Sequence, residues 1–318
     1  MEDPRPVGHA AGMEPPRLPP DAVAVAVDGS DGAARATAWA VEHARTARLP
    51  LVLVHAAPAA DAYGGAVWTE RPEAGHVLSR EDEASLGAEA TQVLDAAESA
   101  VRSADGELPV VRAPMLGDPR VALLDVARHV GLVVLGSRGR GPVRSLLLGS
   151  VSASVARHAA CPVAVVRDHD ADPTVRRVVV GVDGSEGSRQ TLRYAYGFAS
   201  LRRAPLLVVH CYWDVVAAVN RSLDRSISDE EVADLGVVVA ELVAGLAEDF
   251  PDVEAHVILR QGLVDTVLTN EAMPGDVIVV GHRTHRSPQQ FLYGSVAIAV
   301  LERAESTVLV VPLDTAPS

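Results

Sequence analysis

Lysine is absent from this chain of 318 residues, so all 28 basic residues are arginine. The absence excludes reactions that need a lysine amine at a fixed position, such as Schiff-base chemistry, and it excludes the Walker A and protein-kinase lysines that hold phosphates. A phosphate site in this protein must therefore be built from arginine, backbone N–H groups and hydroxyls.

Cysteine is nearly absent too: Cys161 and Cys211 are the two present, and they do not form a Cys-x-x-Cys pair. A disulfide framework and a structural zinc site are therefore not expected. His282 and His285 are three residues apart, but the sequence offers no evident third ligand. We expect no metal site there, and interpret this pair as part of a solvated loop.

Long apolar runs are also missing, because no stretch of about 18 uncharged apolar residues occurs. The first twenty residues lack the apolar segment of a secretory signal, which favours a cytoplasmic protein. The net charge is −14 with a pI near 5.2, which disfavours nucleic-acid and anionic membrane partners. Sequence signatures of serine hydrolases and zinc proteases are lacking, so we do not predict an enzyme or assign catalytic residues.

Aromatic residues make up 3% of the chain against 48% hydrophobic residues overall, so the cores must be filled by Val, Leu and Ala. The chain is also duplicated. Residues 23–30 resemble residues 178–185, and this match, 155 residues apart, continues to His55 and His210. Further on, Gly117 matches Gly262 at a spacing of 145 residues. The length and the repeat together predict two similar domains.

Each half alternates short Val-rich runs with helical patterns, which predicts an α/β protein. We expect two tandem Rossmann-like domains, each a doubly wound, mostly parallel five-stranded sheet. The predicted limits are a disordered Pro-rich extension over 1–20, a first domain over 21–168, a linker over 169–174 and a second domain over 175–313.

A candidate ligand site lies where the first and fourth predicted strands end, at Asp28 and Gly136. The fourth strand leads into Gly136 and Gly139, then nine residues, then Gly149 and Ser150 at a helix start. We expect such glycines to let the backbone approach a ligand closely and to adopt positive φ, and N–H groups at a helix start attract anions. The hydroxyls of Ser150 and Ser152 and the guanidinium of Arg138 or Arg140 could add donors; of the nearby arginines we favour Arg138 as a phosphate clamp.

This pattern resembles the ATP-binding signature of the universal stress protein family, and the resemblance covers nearly the whole chain after residue 20, twice. It implies an adenine-nucleotide-binding regulatory or stress-adaptation protein, with ATP, AMP or cyclic AMP as ligand and Mg²⁺ accompanying ATP. It implies that Asp28 holds the ribose and that Ala26, Val27 and Ala56 border the adenine. The residues implied around ribose and phosphates are Leu135, Gly136, Arg138, Gly139, Gly149, Ser150, Val151 and Ser152.

The second half departs from this signature. Thr284 replaces the second glycine and Ala297 stands where the first half has Ser152. A β-branched residue resists positive φ and places a side chain where a phosphate would approach the backbone. We therefore expect a weaker second site or none, and its candidate residues are Asp183, Gly281, Arg283, Gly294, Ser295 and Val296.

Other interpretations stay open. Asp28 and Asp183 are also typical of residues that form an Asp-Gly turn before a helix, and His55 and His210 of hydrogen-bonded core residues. The chain could be an interaction scaffold without nucleotide binding, or a slow nucleotide hydrolase. The family resemblance further implies an internal pseudo-dimer in which residues 163–166 pair with residues 308–311, and a homodimer of the whole chain is a further possibility.

Overall fold

The computed structural model describes residues 18–57, 80–139, 148–167, 174–212, 229–283 and 295–313. The chain divides into two compact units, Met1–Asp168 and His169–Ser318. The predicted N-terminal extension and the predicted linker lie almost entirely outside the described residues.

The first unit alternates strands and helices along its whole described length. Its elements are β1 (Val23–Ala26), α1 (Asp31–Ala47), β2 (Leu51–Ala57), α2 (Arg80–Ala104), β3 (Val110–Leu116), α3 (Pro119–Val126), β4 (Leu132–Gly136), α4 (Ser150–His158) and β5 (Val163–Val166). The strands lie in the order β3-β2-β1-β4-β5, and each neighbouring pair is parallel.

The second unit repeats this plan. Its elements are β6 (Arg177–Val182), α5 (Glu186–Arg202), β7 (Leu206–Tyr212), α6 (Asp229–Ala247), β8 (Ala255–Gln261), α7 (Val264–Glu271), β9 (Asp276–Arg283), α8 (Ser295–Arg303) and β10 (Thr307–Leu313). The parallel order β8-β7-β6-β9-β10 matches that of the first unit. The predicted fold class, two tandem α/β domains with five-stranded parallel sheets, is confirmed.

The cores consist of the aliphatic residues that the composition indicated. Leu53 and Leu135 in the first unit and Leu206, Ile278 and Leu309 in the second are at most 2% exposed. Parallel strands covered on both faces by helices bury side chains of both faces, which explains the nearly continuous apolar runs. Among the described residues, no helix is both long and apolar enough to cross a membrane.

The duplication extends to local backbone geometry. Ser30 caps α1 and Ser185 caps α5, each by accepting a hydrogen bond from a backbone N–H three residues later. Both helices end at an arginine in the left-handed conformation, Arg48 with φ 57° and Arg203 with φ 51°. Equivalent positions of the two halves can therefore be compared residue by residue.

In each sheet the direction of winding reverses beside the first strand of the unit. In the first unit β1 lies between β2 and β4, and Val25 is paired with both Leu53 and Val134. The carboxyl ends of β1 and β4 therefore border a crevice, which is where ligands bind in open α/β sheets.

Candidate functional site

Asp28 follows β1 and lies at this crevice. Its Oδ1 accepts a hydrogen bond from the Ser30 N–H at 2.9 Å, across Gly29, which has φ 78°. Asp28 thus forms the Asp-Gly turn that its sequence context also indicated. The residue that caps the following helix is Ser30. The second carboxylate oxygen, Oδ2, lies close to Gly139 in the loop after β4. A Cβ placed on Gly139 would lie 2.6 Å from this oxygen.

The glycines after β4 are needed for close approach. A Cβ on Gly136 would lie 2.6 Å from the carbonyl carbon of Gly32, so the end of β4 touches the first turn of α1 directly. A Cβ on Gly32 would in turn lie 2.3 Å from the Arg138 carbonyl oxygen. The expectation that these loop glycines adopt positive φ is wrong: Gly149 has φ −76°, and within the described crevice positive φ occurs at Gly29.

The third part of the site is the start of α4. Gly149 is the N-cap residue and supplies no side-chain cap, whereas α1 and α3 are capped by Ser30 and Asp118. The Gly149 N–H donates to the Ser137 carbonyl at 2.7 Å, which ties the helix start to the end of β4. The first-turn N–H groups of a helix lack intrahelical partners and favour an anion.

The remaining residues of the first candidate site are placed as follows. Ala26 and Ala56 are half-buried at the ends of β1 and β2, Val27 and Leu135 are buried, Arg138 and Val151 are half-buried, and Ser150 is exposed at the start of α4. Arg140 lies outside the described residues.

Ser152 and His55 have structural partners. The Ser152 hydroxyl donates to the Gly136 carbonyl at 2.8 Å, so its hydrogen is used within the loop instead of pointing to a ligand. The ring Nδ1 of His55 lies 2.7 Å from the Val27 carbonyl, and His210 makes the same contact with Val182 at 3.0 Å. Because a carbonyl only accepts, Nδ1 carries the proton in both, which agrees with the structural interpretation of these histidines.

In the second unit, the aspartate of the crevice is engaged by neighbouring side chains. Asp183 accepts hydrogen bonds from the Ser185 N–H at 2.9 Å and from the Ser188 hydroxyl. Burial opposes ionisation of Asp183, but these hydrogen bonds and the charge of Arg283 outweigh it, so the pKa of the carboxyl lies below its ordinary value. Ser188 stands where the first half has Ala33, and this substitution is visible in the sequence.

Side chains also occupy the space beside this aspartate. The Arg283 guanidinium donates to the Ser185 hydroxyl at 3.2 Å. A Cβ placed on Gly187 would lie 2.7 Å from Arg283 Nη2 and 2.8 Å from Leu313 Cδ1. At the equivalent Gly32 of the first half, the nearest atom to such a Cβ would instead be the backbone carbonyl oxygen of Arg138.

The remaining cavity of the second crevice is about 130 Å³. It is bordered by candidate residues Asp183, Gly281, Arg283 and Val296. Thr284 and Gly294 lie outside the described residues, and Ser295 begins α8. Sequence reasoning missed Leu313, because β10 comes far later in the chain and nothing in its local pattern indicates that its last side chain enters this crevice.

Comparison with known proteins places both halves in one family. The universal stress protein family model matches residues 21–167 and 174–312. A universal stress protein of Mycobacterium tuberculosis (strain ATCC 25618 / H37Rv) is 34% identical over 293 residues, covering 91% of this chain and 96% of the relative. A second one from the same strain is 30% identical over 294 residues, covering 91% of this chain and 95% of the relative.

A solved structure shows the same fold. The crystal structure of a universal stress protein from Archaeoglobus fulgidus DSM 4304 has a TM-score of 0.66 and 20% sequence identity, and the match covers 93% of this chain and 97% of that one. The family model and the mycobacterial relatives together give the family. This chain belongs to the universal stress protein family.

Proposed function

We propose that the first unit binds an adenine nucleotide in the crevice between β1 and β4, and that the protein acts as a nucleotide-responsive regulator with no catalytic role. The observation that carries this proposal is that a Cβ placed on Gly139 would lie 2.6 Å from the Asp28 carboxylate. The carboxylate and the loop after β4 therefore lie next to each other. ATP, AMP and cyclic AMP are the candidate ligands, with Mg²⁺ accompanying ATP.

The two ends of the crevice favour opposite chemical groups. The Asp28 carboxylate accepts hydrogen bonds and repels phosphate, so it suits the hydroxyls of a ribose. The start of α4, with Gly149 as its N-cap and no capping side chain, favours the phosphates. A nucleotide would therefore lie with its ribose over β1 and its phosphates toward Ser150. Arg138 is our candidate for a charged contact with the phosphates.

We infer that the second unit does not bind nucleotide under the same conditions. The side chains of Arg283 and Leu313 lie against Gly187, where the equivalent Gly32 of the first unit meets backbone of Arg138 and the Ser30 hydroxyl. Asp183 also accepts a hydrogen bond from the Ser188 hydroxyl, and the first unit has Ala33 at that position. A ligand would have to displace these groups and break their contacts before gaining its own.

The matched substitutions Asp28→Asn and Asp183→Asn test the proposal by calorimetric titration with ATP, AMP and cyclic AMP. Asparagine keeps the side-chain oxygen that each turn needs but removes the charge. We expect Asp28→Asn to weaken binding about tenfold or more, as for loss of a charged hydrogen bond, and Asp183→Asn to leave it unchanged. Equal weakening by both, or no binding by the wild type, would contradict the proposal.

We also propose four further features of the protein. The domain limits 21–168 and 175–313 follow from the sequence. The internal pseudo-dimer is compatible with two tandem family domains, and a homodimer of the whole chain is a separate proposal, for which the molar mass in solution is the measurement. A cytoplasmic location agrees with the function proposed here.

A further inference from the structure

A groove runs between α1 and α2 of the first unit. Its volume is about 460 Å³, within the range of small-molecule sites. Small apolar side chains form both walls, among them Ala34, Ala38 and Val41 from α1 and Val93, Ala97 and Ala100 from α2.

In the second unit, large side chains lie at one end of the equivalent seam, between α5 and the segment that follows α6. Arg193 of α5 pairs with Asp249 of that segment, with Nη2 and Oδ2 2.8 Å apart. Tyr196 of α5 stacks on Phe250 of the same segment, with ring centroids 5.7 Å apart. An ion pair and an aromatic pair thus join α5 to the segment after α6.

The first unit has small residues at the corresponding positions. At the 155-residue spacing of the repeat, Ala38 is equivalent to Arg193 and Val41 is equivalent to Tyr196. At the 145-residue spacing, Ala104 is equivalent to Asp249. Neither the ion pair nor the aromatic stack can form with these residues. At these positions the first unit has smaller side chains than the second, and Ala38, Val41 and Ala104 are among the residues that line the groove.

The chemistry of the groove favours an uncharged ligand. Among the residues that the structure describes, none of the side chains that line it is charged, and the polar ones are Ser30, Thr37 and Gln92. Thr37 donates to the Ala33 carbonyl at 2.8 Å, and Ser30 accepts from the Ala33 N–H at 3.2 Å. A charged group would lose hydration there without gaining a counter-ion. In the second unit, aromatic rings lie at one end of the equivalent seam, where Tyr196 stacks on Phe250.

We propose that this groove is a binding site for an uncharged, apolar small molecule that carries aromatic rings. The groove ends at Val27, Gly29 and Ser30, beside the crevice of the first unit, but it does not include the loop after β4. The proposal therefore does not depend on nucleotide binding, and the two can fail separately.

The test uses N-phenyl-1-naphthylamine, an uncharged fluorophore, titrated into the full-length protein. We expect saturable binding of one dye per chain. Ala100→Phe should weaken it at least tenfold by filling the groove. The control is Ser99→Phe, which adds the same ring at the preceding position, which does not line the groove, and should bind like the wild type. The double substitution Ala38→Arg with Ala104→Asp, which copies the ion pair of the second unit, should also abolish binding.

Three results would overturn the proposal. These are no saturable binding by the wild type, equal binding by the Ala100→Phe and Ser99→Phe variants, or a self-associating wild type that Ala100→Phe makes monomeric. In the third case the occupant of the groove is a second copy of the chain, which sedimentation velocity measures directly. Circular dichroism shows that each variant is folded before its titration is interpreted.

Discussion

Substitution of Gly136 by alanine should destabilise the first unit. The new Cβ would lie 2.6 Å from the carbonyl carbon and 2.7 Å from the carbonyl oxygen of Gly32, whereas carbon atoms in contact are normally about 3.5–4.0 Å apart. Both contacts are backbone atoms, so β4 and the first turn of α1 must separate by about 1 Å. Overpacking of this kind costs about 1–3 kcal/mol of unfolding free energy.

Gly139→Ala is the matched substitution, with the opposite expected outcome. Its Cβ would meet Asp28 Oδ2, at the end of a side chain, and Gly139 is exposed, so the unfolding free energy should change by less than about 0.5 kcal/mol. Displacing this carboxylate should instead weaken nucleotide binding about tenfold or more.

Thermal unfolding and nucleotide titration of the two variants separate these effects. For a unit of this size, a cost of about 1–3 kcal/mol lowers Tm by roughly 2–12 °C for Gly136→Ala. Wild-type stability in Gly136→Ala would refute the packing argument. Wild-type affinity in Gly139→Ala would refute the claim that the loop and Asp28 form one site.

Three further predictions concern individual side chains. Arg177→Met should cost about 3 kcal/mol in urea unfolding, because it removes the charged donor from Asp276, whose side chain is 5% exposed; a cost under about 0.5 kcal/mol would contradict this. Asp183→Asn should lower the free energy of unfolding at pH 7, because the folded protein favours the ionised carboxylate and holds its pKa below the ordinary value. In unfolding measured across pH, the difference from the wild type should shrink as the pH falls through this lowered pKa; a pH-independent difference would contradict it. Burial raises the pKa of the Cys161 thiol to about 12 and that of the Cys211 thiol to about 11. Both thiols should therefore react slowly with a thiol reagent at pH 8 in the folded protein and rapidly in guanidinium. Fast reaction of the folded protein would contradict this.

The elements of the fold follow closely from local patterns. The strands β1 and β5 form from short Val-rich runs, and α1 begins directly after the Asp-Gly turn at Asp28, so local patterns of the sequence indicate all three elements. The duplication predicts that both halves share one topology, because the same order of elements recurs in each half. The crevice residues Asp28 and Gly136 also follow, because parallel strands end at one edge of the sheet.

What the sequence did not predict depends on contacts between distant elements. The requirement for glycine at Gly136 arises from Gly32, about a hundred residues earlier, and not from the φ angle that local reasoning suggested. Leu313 enters the second crevice from the last strand. The groove between α1 and α2 becomes evident when Ala38 is compared with Arg193 at the same place in the repeat. Local propensity carries no information about such pairs.

The central claim is that one nucleotide binds per chain, in the first unit. The direct measurement is the number of sites for ATP, AMP and cyclic AMP by calorimetric titration of the wild type and of Gly139→Val. We expect one site in the wild type and none in the variant. Two wild-type sites, one of which survives in the variant, would contradict the closed second crevice, and no binding of any of the three nucleotides would contradict the proposed function itself.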